Sequence, residues 1–248
     1  TCIKLKEDIS KIEISSFIMT RKITKTKKRL LMLVLHHLEQ SRSSRIMWAL
    51  EELGLEYEVK LYKRLRSFAA PPELRKVHPL GKSPVLSFNE EVIAESAVIL
   101  EYLQDNYDKE QKFKPTDKTN LNQNNYWMHY AEGSLMPYLV MTLVLTNVPK
   151  HVPWLIKPVA KKITGGIKAG FIHPRMKEHI LFLEDYLAKN DYFAGDFSFA
   201  DIQMSFPLMA IQDRMGGDYP NISTYLARVK QRAAFNRAKI REQNLFKS

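Results

Sequence analysis

Apolar positions in this chain change their period along its length, and the changes mark its organisation. From Leu33 the run "LVLHHL" is short, apolar and reads as a first strand. In "SRSSRIMWALEELGLEYE" the residues Ile46, Ala49, Leu50 and Leu53 recur at helical spacing, serines stand at the start and Gly54 supplies a stop. "YEVKLYK" then alternates as a half-buried strand. "APPELRKVHPLG" reads as a loop with one short helix, "SPVLSF" and "EVIAE" as a hairpin, and "SAVILEYLQDNY" as an amphipathic helix. The order β-α-β, then α-β-β-α, predicts a mixed sheet with helices on its faces. "DKEQKFKPTDKT" is polar and carries a proline, as a linker does. After it every periodic stretch is helical: "NLNQNNYWMHYAEGSLMPYLVMTLVL", "KPVAKKITGGIKAGFIHPRMKEHILFLEDYLAKN", "SFADIQMSFPLMAIQDRM" and "ISTYLARVKQRAAFNRAKI". The expected fold is α/β plus all-α, with an α/β domain over 32–107, a linker over 108–118 and a helical bundle over 119–248.

A length of 248 residues suits two such domains, and no apolar run approaches the ~18 residues of a membrane span. The single cysteine, Cys2, excludes a disulfide framework and chemistry through paired thiols. The net charge of +11 suggests nucleic acid, but residues 1–31 hold nine Lys/Arg against three Asp/Glu, and the other 217 hold 29 against 24. More than half of the excess thus sits in a basic segment before the first strand, read as a disordered extension that the fold does not need. Met32 or Met19 is the expected natural start, with a transit peptide as the alternative. The body lacks an interleaved basic and aromatic motif, so no nucleic-acid partner is expected. The seven histidines include no H-E-x-x-H or similar spacing, so no metal is expected. His36 and His37 are neighbours on a strand, face opposite sides and cannot share a proton.

"HPLGKSPVLSFNEEVIAESAVIL", His78 to Leu100, carries the most chemistry. Proline in a strand interior removes a ladder donor, so Pro84 is placed at a strand start. A plain turn explains G-x-x-P; a cis bond at Pro84 would instead present the N–H and C=O of Ser83 to an extended peptide. Glu95 and Ser96 fall where strand gives way to helix. Ser96 can serve as an N-cap, and a helix N-terminus also suits a carboxylate. With Glu95 beside it, the pair would satisfy a ligand that carries both an amino group and a carboxylate.

These features together, with "GKSP" before a strand, "ES" at a helix start and an all-helical second half, resemble the soluble glutathione S-transferases, from Leu33 to the C-terminus. "HHLEQSRSSRIMWALEELGLEYE", "APPELRKVHPLGKSPVL" and "YAEGSLMPYL" are most similar to the bacterial and fungal branch that includes a membrane-associated yeast transferase. The resemblance implies a cytoplasmic enzyme with a thioredoxin-like, glutathione-binding domain and a helical domain that shapes the electrophile pocket. Ser198 and Asp201 would form the capping box of a buried helix. Glu95 and Ser96 would take the γ-glutamyl group, Ser83 the cysteinyl backbone and Lys82 the glycine carboxylate. Glutathione enters as co-substrate, with no other cofactor.

A thiol of pKa ~8.5 needs help to ionise at neutral pH. Ser41, Ser43 and Ser44 stand at the first strand-to-helix turn, where hydroxyl donation and a helix terminus converge; caps or loop serines account for them equally. The family's serine-type spacing implies Ser41 as the activating hydroxyl, four residues before Arg45, with Ser43 as the alternative. Tyr130, Met136 and Tyr138 are candidates for the electrophile pocket. The resemblance also implies a homodimer, joined through the helix after Glu95 and the first helices of the bundle. The readings that compete are an enzyme acting on apolar electrophiles or hydroperoxides, and a non-catalytic transferase-like binding module.

Overall fold

The computed structural model describes residues 32–65, 67 and 69–247; the basic segment 1–31, with Cys2, lies outside them. The first half contains β1 (Leu33–Leu38), α1 (Ser43–Glu52), β2 (Tyr57–Tyr62), α2 (Pro72–Arg75), β3 (Val85–Phe88), β4 (Glu91–Ala94) and α3 (Ser96–Tyr107). The sheet order is β2-β1-β3-β4. β1 runs parallel to β2, with Leu33 opposite Tyr57, and antiparallel to β3, with Leu35 opposite Leu86; β3 and β4 form the hairpin read from the sequence. β1 is central, so residues of both its faces are buried, His36 and His37 included. That accounts for its continuous apolar run where β2, at the edge, alternates. Ile46, Met47, Trp48, Ala49 and Leu50 of α1 close one face of the sheet, together with Ile99, Leu100 and Leu103 of α3.

The second half is helical: α4 (Lys118–Tyr130), α5 (Met136–Asn147), α6 (Lys157–Ile167), α7 (His173–Leu187), α8 (Phe199–Arg214), α9 (Pro220–Lys230) and α10 (Ala233–Leu245). Two stretches that read as single long helices are interrupted by wide π turns, at Ala131–Leu135 and Lys168–Ile172. Each interruption leads into a proline, Pro137 and Pro174, which has no N–H for the carbonyl four residues back. The ladder shifts instead to the i→i+5 bonds that Met136 N–H donates to Ala131 and His173 N–H to Lys168. The last stretch is likewise two helices, parted at Arg232, whose backbone is extended.

The polar 108–118 segment packs against the body. Asp108 is buried and accepts from the N–H groups of Lys112 and Phe113, Gln104 donates to the Phe113 carbonyl at 2.7 Å, and the Phe113 ring stacks on Phe199. One apolar core runs through both halves, and α8 lies at its centre. The capping box at the start of α8 is formed: Ser198 Oγ accepts from Ala200 N–H, and Asp201 accepts from Ser198 N–H at 2.8 Å. Asp201 also accepts from Phe193 N–H and from Tyr225 Oη, so the box ties α8 to the α7–α8 connection and to α9. Burial lifts its carboxyl to about 6, against the pull of those three donors and of the Ser198 hydroxyl, which donates to it at 3.3 Å.

Candidate functional site

β1 ends at Leu38 and α1 begins at Ser43, which leaves Ser41 in the turn between them. Ser41 is buried. Its Oγ lies 2.6 Å from Ser43 Oγ, accepts from the Ser43 N–H and donates to Ser83 Oγ at 3.3 Å. The N-cap position belongs to Arg42, whose side chain makes no cap, so the serines are not N-caps. Ser43 and Ser44 are the first two helical residues, and Ser41 holds the amide of Ser43.

Ser43 Oγ lies 2.8 Å from His37 Nδ1, and His37 Nε2 is 3.4 Å from Glu242 Oε1 on α10. That second contact is long and off-line for a hydrogen bond, so it acts as a charge contact. Ser44 donates to the same Glu242 oxygen at 2.7 Å. α10 is fastened over α1 by Arg232 on Glu52 and by Arg237 on Glu51. His36 faces the other side of β1, as alternation requires, between Tyr62 Oη at 2.9 Å and Ser87 Oγ at 3.0 Å. Burial lowers the pKa of both imidazoles. That of His36 falls to about 4, with help from Lys60, and at His37 the nearby Glu242 and Glu39 oppose the fall.

The Ser83–Pro84 peptide is cis, and Pro84 stands just before β3. The preceding Gly81 has φ +57, and a Cβ there would meet Arg75 Cγ at 2.7 Å, so the loop requires glycine. Ser83 Oγ donates to the His36 carbonyl at 2.9 Å and accepts from Leu38 N–H. The cis-proline loop is thereby tied to the end of β1, beside Ser41. Lys82 stands exposed on this loop.

At the third corner Glu95 is exposed and has φ +73, ψ +130, a conformation that costs a non-glycine residue about 1–3 kcal/mol. Glu95 is the N-cap of α3, and its side chain caps nothing. Ser96 is not the cap that the sequence suggested: it is the first helical residue, buried, and its Oγ accepts from Arg45 Nη2 at 3.2 Å.

Arg45 is fully buried and reaches three elements. Besides Ser96 it donates to Glu132 Oε1 at 2.6 Å and to the Gln203 carbonyl at 2.8 Å. That carbonyl is free because the residue four positions on is Pro207, inside α8. Glu132 lies in the first π turn and is also 3.2 Å from Arg42 Nε. Burial lowers the Arg45 pKa, and Glu132 opposes it.

A cavity of about 510 Å³ opens between α1, α8 and α10, lined by Ser44, Trp48, Phe206, Met209, Phe235 and Glu242 among others. Tyr130, Met136 and Tyr138 do not line it. Tyr130 Oη is 2.5 Å from His179 Nδ1, the Tyr138 ring also packs on His179, and Met136 is buried in the core. The structure thus gathers Ser41, Ser43 and Ser83 in one hydroxyl cluster and joins Ser96 to α1 through Arg45. Arg45, Glu132 and Glu242 belong to this site although sequence reasoning did not propose them for it, and so does His37, which that reasoning set aside as one of two neighbouring histidines that cannot share a proton. The signals present were Glu132 inside the quoted "YAEGSLMPYL" and Arg45 on the apolar side of α1. Among the described residues no His/Cys/Asp/Glu group could hold a metal, and no helix is long and apolar enough to cross a membrane.

The "Glutathione S-transferase, N-terminal domain" family matches residues 32–105, from β1 to within α3. Glutathione S-transferase 3 of Schizosaccharomyces pombe is 38% identical over 206 residues, covering 82% of this chain and 85% of the relative. Glutathione S-transferase 1 of Saccharomyces cerevisiae is 36% identical over 216 residues, covering 82% and 92%. A solved glutathione S-transferase of Actinobacillus pleuropneumoniae is 32% identical and superposes with a TM-score of 0.66 over 85% of this chain and 92% of that one. A glutathione transferase of Phanerochaete chrysosporium, solved with oxidized glutathione, shares the fold at 22% identity and a TM-score of 0.68. With its thioredoxin-like first domain and helical second domain, this chain belongs to the glutathione S-transferase family.

Proposed function

We propose that this protein binds glutathione along the β1–α1 turn, the cis-proline loop and the α3 N-terminus, and transfers its thiolate to apolar electrophiles. The observation that carries the reading is the convergence of a buried hydroxyl, Ser41, on the Ser83 loop, with the strained Glu95 and buried Ser96 at an uncapped helix end. Glu95 pairs with the ligand's α-amino group. Ser96, whose oxygen already accepts from Arg45, keeps its own proton for the α-carboxylate. The Ser83 side chain is occupied by β1, so this residue offers its main chain to the cysteinyl unit, and Lys82 reaches the glycine carboxylate. Ser41 then donates to the sulfur and favours the thiolate, with Ser43 as the alternative donor. Attack of the thiolate on an electrophilic carbon forms the C–S bond and expels the leaving group. With a hydroperoxide, two glutathiones are oxidised to the disulfide as the peroxide is reduced to alcohol and water.

The cavity beside Ser44 is the better supported electrophile pocket, because Tyr130 and Tyr138 are engaged with His179. Exposed Val92 on β4, Val98 on α3 and Tyr126 on α4 supply apolar surface for a two-fold homodimer. Retention on immobilised glutathione, followed by assay against a panel of electrophiles and hydroperoxides, tests the function. Retention without turnover would turn the reading to a binding module, and no retention would sink it. Sedimentation as a monomer at micromolar concentration would remove the dimer.

A further inference from the structure

Behind the sulfur-facing hydroxyl a line of polar groups leads away from the ligand. It runs from Ser41 Oγ 2.6 Å to Ser43 Oγ, 2.8 Å to His37 Nδ1, and from His37 Nε2 3.4 Å to Glu242 Oε1. Ser43 and His37 are wholly buried, Ser41 is 8% exposed, and Glu242, with its side chain 26% exposed, is the most open to water of the four. A lone hydroxyl donor would need neither a buried imidazole nor a carboxylate brought from the C-terminal helix.

We propose that His37, held between Ser43 and Glu242, accepts the proton that leaves the glutathione thiol, passed through the hydroxyls of Ser41 and Ser43. The proposal rests on the glutathione-binding reading above. The Ser41 hydroxyl proton turns from Ser83 Oγ at 3.3 Å to Ser43 Oγ at 2.6 Å; the S–H bond then breaks as Ser41 Oγ takes its proton, Ser41 yields its own proton to Ser43 Oγ, and Ser43 yields its own to His37 Nδ1. The sulfur keeps the electron pair of the broken bond as thiolate, and the imidazole becomes imidazolium, so no oxidant or reductant is involved. The same transfer reverses every hydrogen bond in the line. Afterwards His37 donates to Ser43, Ser43 to Ser41 and Ser41 to the thiolate.

The groups facing His37 suit this role. Glu242 from α10 draws the single proton of the neutral ring to Nε2, which leaves the Nδ1 lone pair for Ser43. Ser44 on α1 holds Glu242 in place, Glu39 lies just beyond β1, and the Phe246 ring meets the imidazole edge at 6.3 Å. Burial keeps the resting ring neutral, while the two carboxylates favour the imidazolium once it forms. His37 touches no part of glutathione in this scheme; it is a positioning residue that acts through Ser43.

The test uses the full chain with glutathione and three readouts: affinity by calorimetry, the pKa of the bound thiol from its thiolate absorbance, and the pH profile of kcat/KM with an electrophile. His37→Asn is expected to hold glutathione within about two-fold of wild type yet raise the bound thiol pKa by about one unit, a tenfold loss of thiolate on the acid side. The acid limb of kcat/KM should shift with it. Glu242→Gln should move both in the same direction by less, and the double variant should match His37→Asn alone. A folded His37→Asn with an unchanged thiol pKa overturns the proposal, as do additive effects of the two substitutions. If His37→Asn does not fold, Glu242→Gln decides: an unmoved pH profile rejects the relay. Failure of the wild-type protein itself to hold glutathione registers in the calorimetry, before any thiol titration, and rejects the binding reading instead.

Discussion

Arg45 and Pro207 should be energetically coupled although their side chains play unrelated parts. Pro207 deprives the Gln203 carbonyl of its helical donor, and Arg45 Nη1 replaces that donor at 2.8 Å. Arg45→Met keeps most of the buried stem but leaves the carbonyl without a partner, at a cost of about 1–3 kcal/mol, and removes a donor from Ser96 for about 1 more. Glu132 loses little, because it is a third exposed and keeps Arg42 at 3.2 Å. In a Pro207→Ala background the new N–H restores the ladder bond, and the same Arg45→Met should cost only the Ser96 part. The coupling is therefore about 1–3 kcal/mol. Glu132→Gln should cost more than Arg45→Met, about 3–5 kcal/mol, since it strands a buried guanidinium beside neutral acceptors. Urea unfolding of the four members of the cycle and of Glu132→Gln, followed by circular dichroism and fluorescence with coincident transitions, measures these differences. Additive effects, with a coupling below about 0.5 kcal/mol, would show that the proline gap is filled by something other than Arg45.

Ser41→Ala should lower kcat about 10- to 100-fold and raise the pKa of the bound thiol while leaving glutathione affinity nearly intact, because the lost bond favours one protonation state. A purely affinity-based defect would remove Ser41 from thiol activation. Glu95→Gly separates strain from binding: relief of the positive φ should add about 1 kcal/mol of stability, while loss of the carboxylate weakens glutathione binding by about 1–3 kcal/mol. Calorimetry and melting of one variant check both. Met209→Trp, which fills the cavity, should raise KM for a bulky electrophile severalfold with KM for glutathione unchanged; an equal rise in both would place the electrophile elsewhere. His36, with its pKa lowered from 6.5 to about 4, takes up its proton more readily unfolded than folded, so its share of stability, about 3 kcal/mol, is lost as pH falls through that window. Asp201, raised to about 6, acts in the opposite sense, so the effect is read as the difference between wild type and His36→Gln. Parallel pH–stability curves for the two would refute it.

Local chemistry was legible in the chain. The 3.6-residue period of α1, the alternation of β2, the capping box Ser198-x-x-Asp201 and the placement of Pro84 before a strand all depend on neighbours within a few positions. The same locality explains the errors. Ser96 looked like a cap because serine caps helices cheaply, yet its oxygen is claimed by Arg45, 51 residues away. The long helical stretches concealed their π turns, because apolar spacing averages over a single wide turn, although Pro137 and Pro174 were visible as residues without an N–H.

What could not be read is the set of partners that cross the fold. Ser44 and Glu242 are 198 residues apart, Arg45 and Gln203 158, and Arg45 and Glu132 87. Each link joins the first turn of α1 to the helical domain: to the centre of α8, to the π turn after α4, and to α10. The consequence is physical as well as predictive. The thioredoxin-like half carries every residue proposed to touch glutathione, but the charges and acceptors that fix its first helix come from the other half. Glu132→Gln should therefore weaken glutathione binding through Ser96 as well as stability, and that second effect should vanish in a Ser96→Ala background. Persistence of the affinity loss in the double variant would mean that Glu132 acts on the site by a route other than Arg45.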